Sequence, residues 1–178
     1  NVSGAKKVTL ENLYVHNNGS QTQEARFPIN INDVNEGVIV SNSRIVNNGF
    51  TQWLFQVGNT PLTIANTIIA NNYSQWDDRD LFYIQYDNAS LTIEHSTIYN
   101  NDLAQEVGLA LIDGMGGLSV YNSILDVSEV VTTNRDYIVS NSFLRTGNVF
   151  GGTGNNLGGS NFQGPISLMS DFSLPSNS

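Results

Sequence analysis

Few side chains in this 178-residue chain are equipped for acid–base or nucleophilic chemistry. Asp33, Asp87 and Asp113 fall near the ends of alternating apolar segments, from which carboxylates could converge on a sugar, although surface turns collect aspartate anyway. Arg26, Arg44, Arg79, Arg135 and Arg145 fall in different columns or loops, so a clamp for an anionic sugar is not expected. With two histidines, His16 and His95, and no cysteine, there is no zinc set, thiolate nucleophile or disulfide framework. The segment SQWDDRD (74–80) carries three aspartates, oxygen ligands of the kind calcium takes, without EF-hand spacing. No catalytic residue and no cofactor are therefore assigned, calcium being the one ion the residue types admit.

Binding chemistry is better represented. Asn32, Gln56 and Gln85, with Tyr83 beside them, form a row of neutral donors and acceptors next to an aromatic ring. Sugars are held that way, by hydroxyl pairing and stacking, and Trp76 in the acidic loop offers a second ring. The candidate glycan contacts are Asn32, Gln56, Tyr83, Gln85 and Trp76; the bland alternative is a solvated sheet face. A threonine-rich column, Thr9, Ile39, Thr63, Thr92 and Ser119, resembles the start of an ice-binding array. Its partner column Glu11, Ser41, Ala65, Glu94 and Tyr121 breaks the lattice.

The elements that position these residues follow from a repeat. VTLENLYVHNN (8–18), VIVSNSRIVNN (38–48), LTIANTIIANN (62–72), LTIEHSTIYNN (91–101), LSVYNSILD (118–126) and YIVSNSFLR (137–145) align without gaps, with starts 30, 24, 29, 27 and 19 residues apart. A constant motif at unequal spacing implies a regular stack from which loops of variable length emerge. Within each copy apolar residues alternate, an asparagine interrupts, and the alternation resumes shifted by one, as in Leu62, Ile64, Asn66, Thr67 and Ile69. That pattern describes two strands meeting at a one-residue corner, occupied by Asn12, Asn42, Asn66, His95, Asn122 and Asn141. These side-chain types tolerate positive φ, and stacked asparagines can bond from rung to rung as a ladder. A third strand precedes the motif, with Phe27, Ile29 and Ile31; Trp53, Phe55 and Val57; Phe82, Ile84 and Tyr86; and Leu109 and Leu111 read as inward. Its outward positions then read Asn30 and Asn32, Leu54 and Gln56, Tyr83 and Gln85, and Ala110 and Ile112.

The expected fold is all-β: a right-handed parallel β-helix of about six coils with three strands per coil over residues 1–145. A Gly/Asn-rich tail, 146–178, is expected to cap it irregularly, within the same domain. The tail carries Phe150, Phe162, Ile166, Leu168, Met169, Phe172 and Leu174, more apolar groups than a disordered segment needs. Outward residues after the corner include Ile68, Ile124 and Phe143, an apolar face available to the tail or to a second chain as an oligomer contact.

The chain has 25 asparagines and 16 glycines, 39% apolar and 13% charged residues, enough to fill one domain core. A net charge of −9 and a pI near 4.3 repel phosphate backbones and anionic lipid, so nucleic acid is not an expected partner. No run of 18 apolar residues exists, so membrane insertion is not expected either. The start at Asn1, without methionine or signal peptide, reads as a mature chain or a fragment of a longer one.

These motifs resemble the pectin-lyase-like right-handed β-helices, particularly the asparagine-rich repeats of bacterial secreted and surface proteins carrying "LTIxNSTIxxN". The resemblance covers residues 8–145, and DFSLPSNS (171–178) looks like the segment that ends many such domains. It implies export to the extracellular space or bacterial cell surface, with contact to polysaccharide or cell-surface glycan. The group includes lyases, hydrolases and adhesins, so the fold does not select a reaction. The reading is a non-catalytic extracellular module, structural or adhesive and glycan-binding. The alternative is a polysaccharide-processing lyase or glycoside hydrolase, or an inactive relative of one.

Overall fold

A closed coil needs a left-handed residue wherever one strand gives way to the next, and asparagine adopts that conformation at low cost. The computed structural model describes residues 1–19, 29–74, 80–101, 108–113, 115–127, 129–131, 137–144, 156–158 and 162–163. Three parallel sheets wrap one core, and their edges are lined with such residues. Sheet A orders Val2–Ser3, Ile29–Asn32, Phe55–Gly58, Phe82–Gln85, Gly108–Asp113 and Glu129–Val131. Sheet B orders Val8–Glu11, Val38–Ser41, Pro61–Ala65, Ser90–Glu94, Leu118–Tyr121, Tyr137–Ser140 and Asn156–Gly158. Sheet C orders Tyr14–His16, Arg44–Val46, Ile68–Ala70, Thr97–Tyr99, Ile124–Leu125, Phe143–Leu144 and Phe162–Gln163. A fourth, two-stranded ladder pairs Gly49–Phe50 with Tyr73–Ser74.

The chain runs from sheet A to B to C in each coil, so every strand pairs with its counterpart a full coil away. Register keeps like residues in columns. Val38, Leu62, Leu91, Leu118 and Tyr137 stack inside sheet B, and Ile45, Ile69, Ile98, Leu125 and Leu144 inside sheet C. All of these are buried, and each fully buried Leu or Ile contributes about 1.5–3 kcal/mol of transfer free energy. Phe55 and Phe82 stack inside sheet A with centroids 4.7 Å apart. No coil can bury its own interior; the column is the folding unit.

The expected parallel β-helix is therefore observed, with six, seven and seven strands in its main sheets. The tail's two described strands, Asn156–Gly158 and Phe162–Gln163, pair with Tyr137–Ser140 and Phe143–Leu144 and continue sheets B and C by a further rung. On sheet C the outward column Tyr14, Arg44, Ile68, Thr97, Ile124 and Phe143 keeps its register. Ile68, Ile124 and Phe143 are each half-buried, while Val46 and Ala70, two positions on, are buried.

Candidate functional site

Corner chemistry fixes the scaffold. Asn12, Asn42, Asn66, His95, Asn122 and Asn141 all have φ between 47° and 56°, at the junction of sheets B and C. Their side chains are exposed, and Asn122 Nδ2 lies 3.4 Å from His95 Nε2. The residue after each corner points inward and carries a hydroxyl in five coils: Ser43, Thr67, Ser96, Ser123 and Ser142. Ser96 Oγ accepts the Thr67 N–H at 3.1 Å and donates to the Glu94 carbonyl at 2.8 Å; the same pair of bonds recurs at Ser43, Thr67, Ser123 and Ser142.

The asparagine ladder that bonds from rung to rung lies not on the expected corner residues but one corner further on, where sheet C closes. Asn17, Asn47, Asn71 and Asn100 supply positive φ there, and the residues that follow them form the ladder. Asn18 Nδ2 donates to Asn48 Oδ1 at 2.9 Å, Asn48 to Asn72 at 3.0 Å, and Asn72 to Asn101 at 2.9 Å. Asn48 and Asn72 are wholly buried.

The outward face of sheet A carries the binding chemistry. Its columns are Asn30, Gln56, Tyr83 and Leu111, and beside them Asn32, Gly58, Gln85 and Asp113. The expected Asn32, Gln56, Tyr83 and Gln85 thus share one face, while Trp76 lies outside the described residues. Asn30 Nδ2 donates to Gln56 Oε1 at 3.0 Å, and Asn32 Nδ2 to Asn30 Oδ1. Tyr83 stacks on Trp53, centroids 4.1 Å apart and planes within 22°. Its hydroxyl donates to Asp113 Oδ2 at 3.2 Å. Burial, and then the hydrogen bond to the Asp113 carboxylate, raise the Tyr83 pKa above the usual tyrosine value, so it remains a phenol at neutral pH.

The face differs from the sequence expectation in strand phase. Leu54, Ala110 and Ile112, expected outward, are buried, whereas Leu111 lies in the outward column. Tyr86, expected inward, stands at the corner and is 57% exposed. Trp53, also expected inward, covers Tyr83, and Asp113 joins the face. Sequence reasoning missed Trp53 and Asp113 as members of this surface; counting out from Phe82 and Ile84 across the neighbouring coil is the signal that finds them.

The three candidate aspartates each accept from a different partner. Asp33 accepts from Asn59 Nδ2 at 3.1 Å, Asp87 from the Met115 N–H at 3.1 Å, and Asp113 from Tyr83. Among the described residues, no group of three His, Cys, Asp or Glu could hold a metal. Lys6 pairs with Glu36 at 3.0 Å and Arg44 lies on sheet C; Arg26, Arg79, Arg135 and Arg145 lie outside the described residues.

The class these features define is the parallel β-helix with laddered corners. Residues 1–125 match the family described as Right handed beta helix region, and the chain belongs to it. No curated protein and no solved structure matches the chain.

Proposed function

We propose that this chain is a non-catalytic extracellular β-helix module, structural or adhesive, that holds glycan on the outward face of sheet A. The carrying observation is the Trp53–Tyr83 stack set beside the amides Asn30, Asn32, Gln56 and Gln85 on one rigid sheet. An aromatic face and neutral amides together match the alternating apolar and hydroxylated surfaces of a sugar ring. A bound chain would cross the coils at a strand spacing of roughly 4.8 Å, meeting Asn30 and Asn32, then Gln56, then Tyr83 and Gln85. Export to the cell exterior or a bacterial surface accords with the resemblance to asparagine-rich surface repeats.

The test is retention on immobilised polysaccharides, neutral and acidic, together with an assay for released ends. Combined Gln56→Ala and Gln85→Ala should abolish retention with the urea midpoint nearly unchanged. Unaltered retention would return the amide row to a solvated face. One observation favours an enzyme instead, the Tyr83–Asp113 hydrogen bond, which resembles a proton-transfer pair. The raised Tyr83 pKa makes that phenol a poor base at neutral pH, and the non-catalytic reading is preferred. Unsaturated or reducing ends appearing above the buffer level would overturn it.

A further inference from the structure

The residue that follows three successive sheet A strands, Ile29–Asn32, Phe55–Gly58 and Phe82–Gln85, turns the chain toward sheet B with positive φ: 55° at Asp33, 51° at Asn59 and 75° at Tyr86. The backbone role is the same in all three. Asp33, Asn59 and Tyr86 donate their N–H groups to the carbonyls of Gly58, Gln85 and Asp113, at 3.1, 3.0 and 3.0 Å. Aspartate and asparagine suit that conformation. A bulky aromatic is an outlier in it, and such strain persists where the side chain itself is required.

Burial does not require it, since more than half of the Tyr86 surface is open. The ring reaches back over the end of the neighbouring strand, where a β-carbon on Gly58 would stand 3.5 Å from Tyr86 Cε2 and would collide with Asn32 Oδ1. Gly58, buried in the outward column of Asn32, Gln85 and Asp113, therefore makes room for the Asn32 amide to lie across the strand, with the Tyr86 ring beside it. At the other end of the same strands stand Trp53 and Tyr83.

We infer that Tyr86 is a ligand-contacting, specificity-determining residue: an exposed second aromatic surface beside the amides of this face, which takes a neutral, hydroxyl-rich chain. This rests on the glycan reading above and adds to it a residue and a charge class. The described residues of the face include Asp113 and no lysine or arginine, so a polyuronate meets repulsion without compensation.

The experiment compares the parent with Tyr86→Asn and Tyr86→Trp. Asparagine is the residue type that fits the corner, so Tyr86→Asn should raise the melting midpoint by about 2–4 °C. It should also weaken binding to neutral polysaccharides (soluble xylan, mannan and β-glucan) by about fivefold to tenfold. Tyr86→Trp should keep the binding without the gain in stability, and polygalacturonate should be bound weakly by all three. A lower midpoint for Tyr86→Asn would show that the ring is kept for packing and would overturn the inference. So would a higher midpoint with unchanged binding, or parent binding that favours the polyuronate. A parent retained on no polysaccharide would overturn the glycan reading itself, and this inference with it.

Discussion

Asn66 and Asn72 lie six residues apart in one coil and illustrate two separate uses of asparagine. Asn72 is wholly buried. Its Oδ1 accepts from the N–H and the Nδ2 of Asn48, both at 3.0 Å, and its Nδ2 donates to the Ile45 carbonyl and to Asn101 Oδ1, both at 2.9 Å. Asn72→Ala removes all four bonds. Asn48 Nδ2 keeps the carbonyls of Val15 and Val46, and Asn101 Oδ1 keeps the backbone N–H of residue 72. The Asn48 N–H loses its acceptor inside the core. Three bonds at about 1 kcal/mol each, with the penalty of about 1–3 kcal/mol for the stranded donor, make the expected loss about 4–6 kcal/mol. Asn66 is exposed and has φ of 47°, so its contribution is conformational. Asn66→Gly should cost less than about 1 kcal/mol, and Asn66→Val about 1–3 kcal/mol from strain. Urea unfolding followed by far-UV circular dichroism reads all three as midpoint shifts at constant slope. Equal losses for Asn66→Gly and Asn72→Ala, or a loss below about 1 kcal/mol for the latter, would refute this division.

Two further outcomes can be checked on the same apparatus. Ser96→Ala strands the Thr67 N–H, while the Glu94 carbonyl keeps the Asn66 N–H, and should cost about 1–3 kcal/mol, whereas Ser96→Thr, the residue type already at 67, should cost under about 1 kcal/mol; similar losses for both would point to packing rather than the hydroxyl. Tyr137 is buried, and burial pushes its phenol up to about 12. A folded-state pKa above the unfolded value near 10 gives a stability contribution that is present below pH 10 and lost as pH rises toward 12. Between those limits the parent should lose about 2–3 kcal/mol more than Tyr137→Phe, and parallel stability curves would exclude the effect.

The fold was legible in sequence because the same register constraint is written six times. Sheets B and C follow without a gap inside each motif, so the phase of Leu62, Ile64 and Ile69 carries over to every copy. Sheet A is less legible because the turn joining it to sheet B varies in length. Ile31, Val57, Ile84 and Ile112 form one inward column, yet they precede Val38, Leu62, Leu91 and Leu118 by different numbers of residues. A one-residue change at such a turn moves every side chain of the preceding strand to the other face. That is why alternation in sequence puts Ala110 and Ile112 outside and Leu111 inside, and does not set Asp113 beside Tyr83.

The corners explain why asparagine arrives in pairs or beside serine. In Asn42–Ser43, Asn71–Asn72 and Asn59–Thr60 the first residue turns the backbone, with φ of 50°, 54° and 51°, while the second is buried and bonds between coils. The turning residue swings its own side chain toward solvent, as at Asn12, Asn42 and Asn66, which places the next side chain inside, against the neighbouring rung. Left-handed tolerance and buried hydrogen bonding are thus demanded of different positions, while the turning residues bond between rungs at the surface, as Asn100 does to Asn71 at 2.8 Å and Asn59 to Asp33 at 3.1 Å. Leu13 stands where later coils carry Ser43, Thr67, Ser96, Ser123 and Ser142, and its N–H is taken by Ser43 Oγ at 3.1 Å. It has no hydroxyl to offer a further coil, so the hydroxyl ladder begins at Ser43, whereas Asn18 retains the amide that would extend the other ladder.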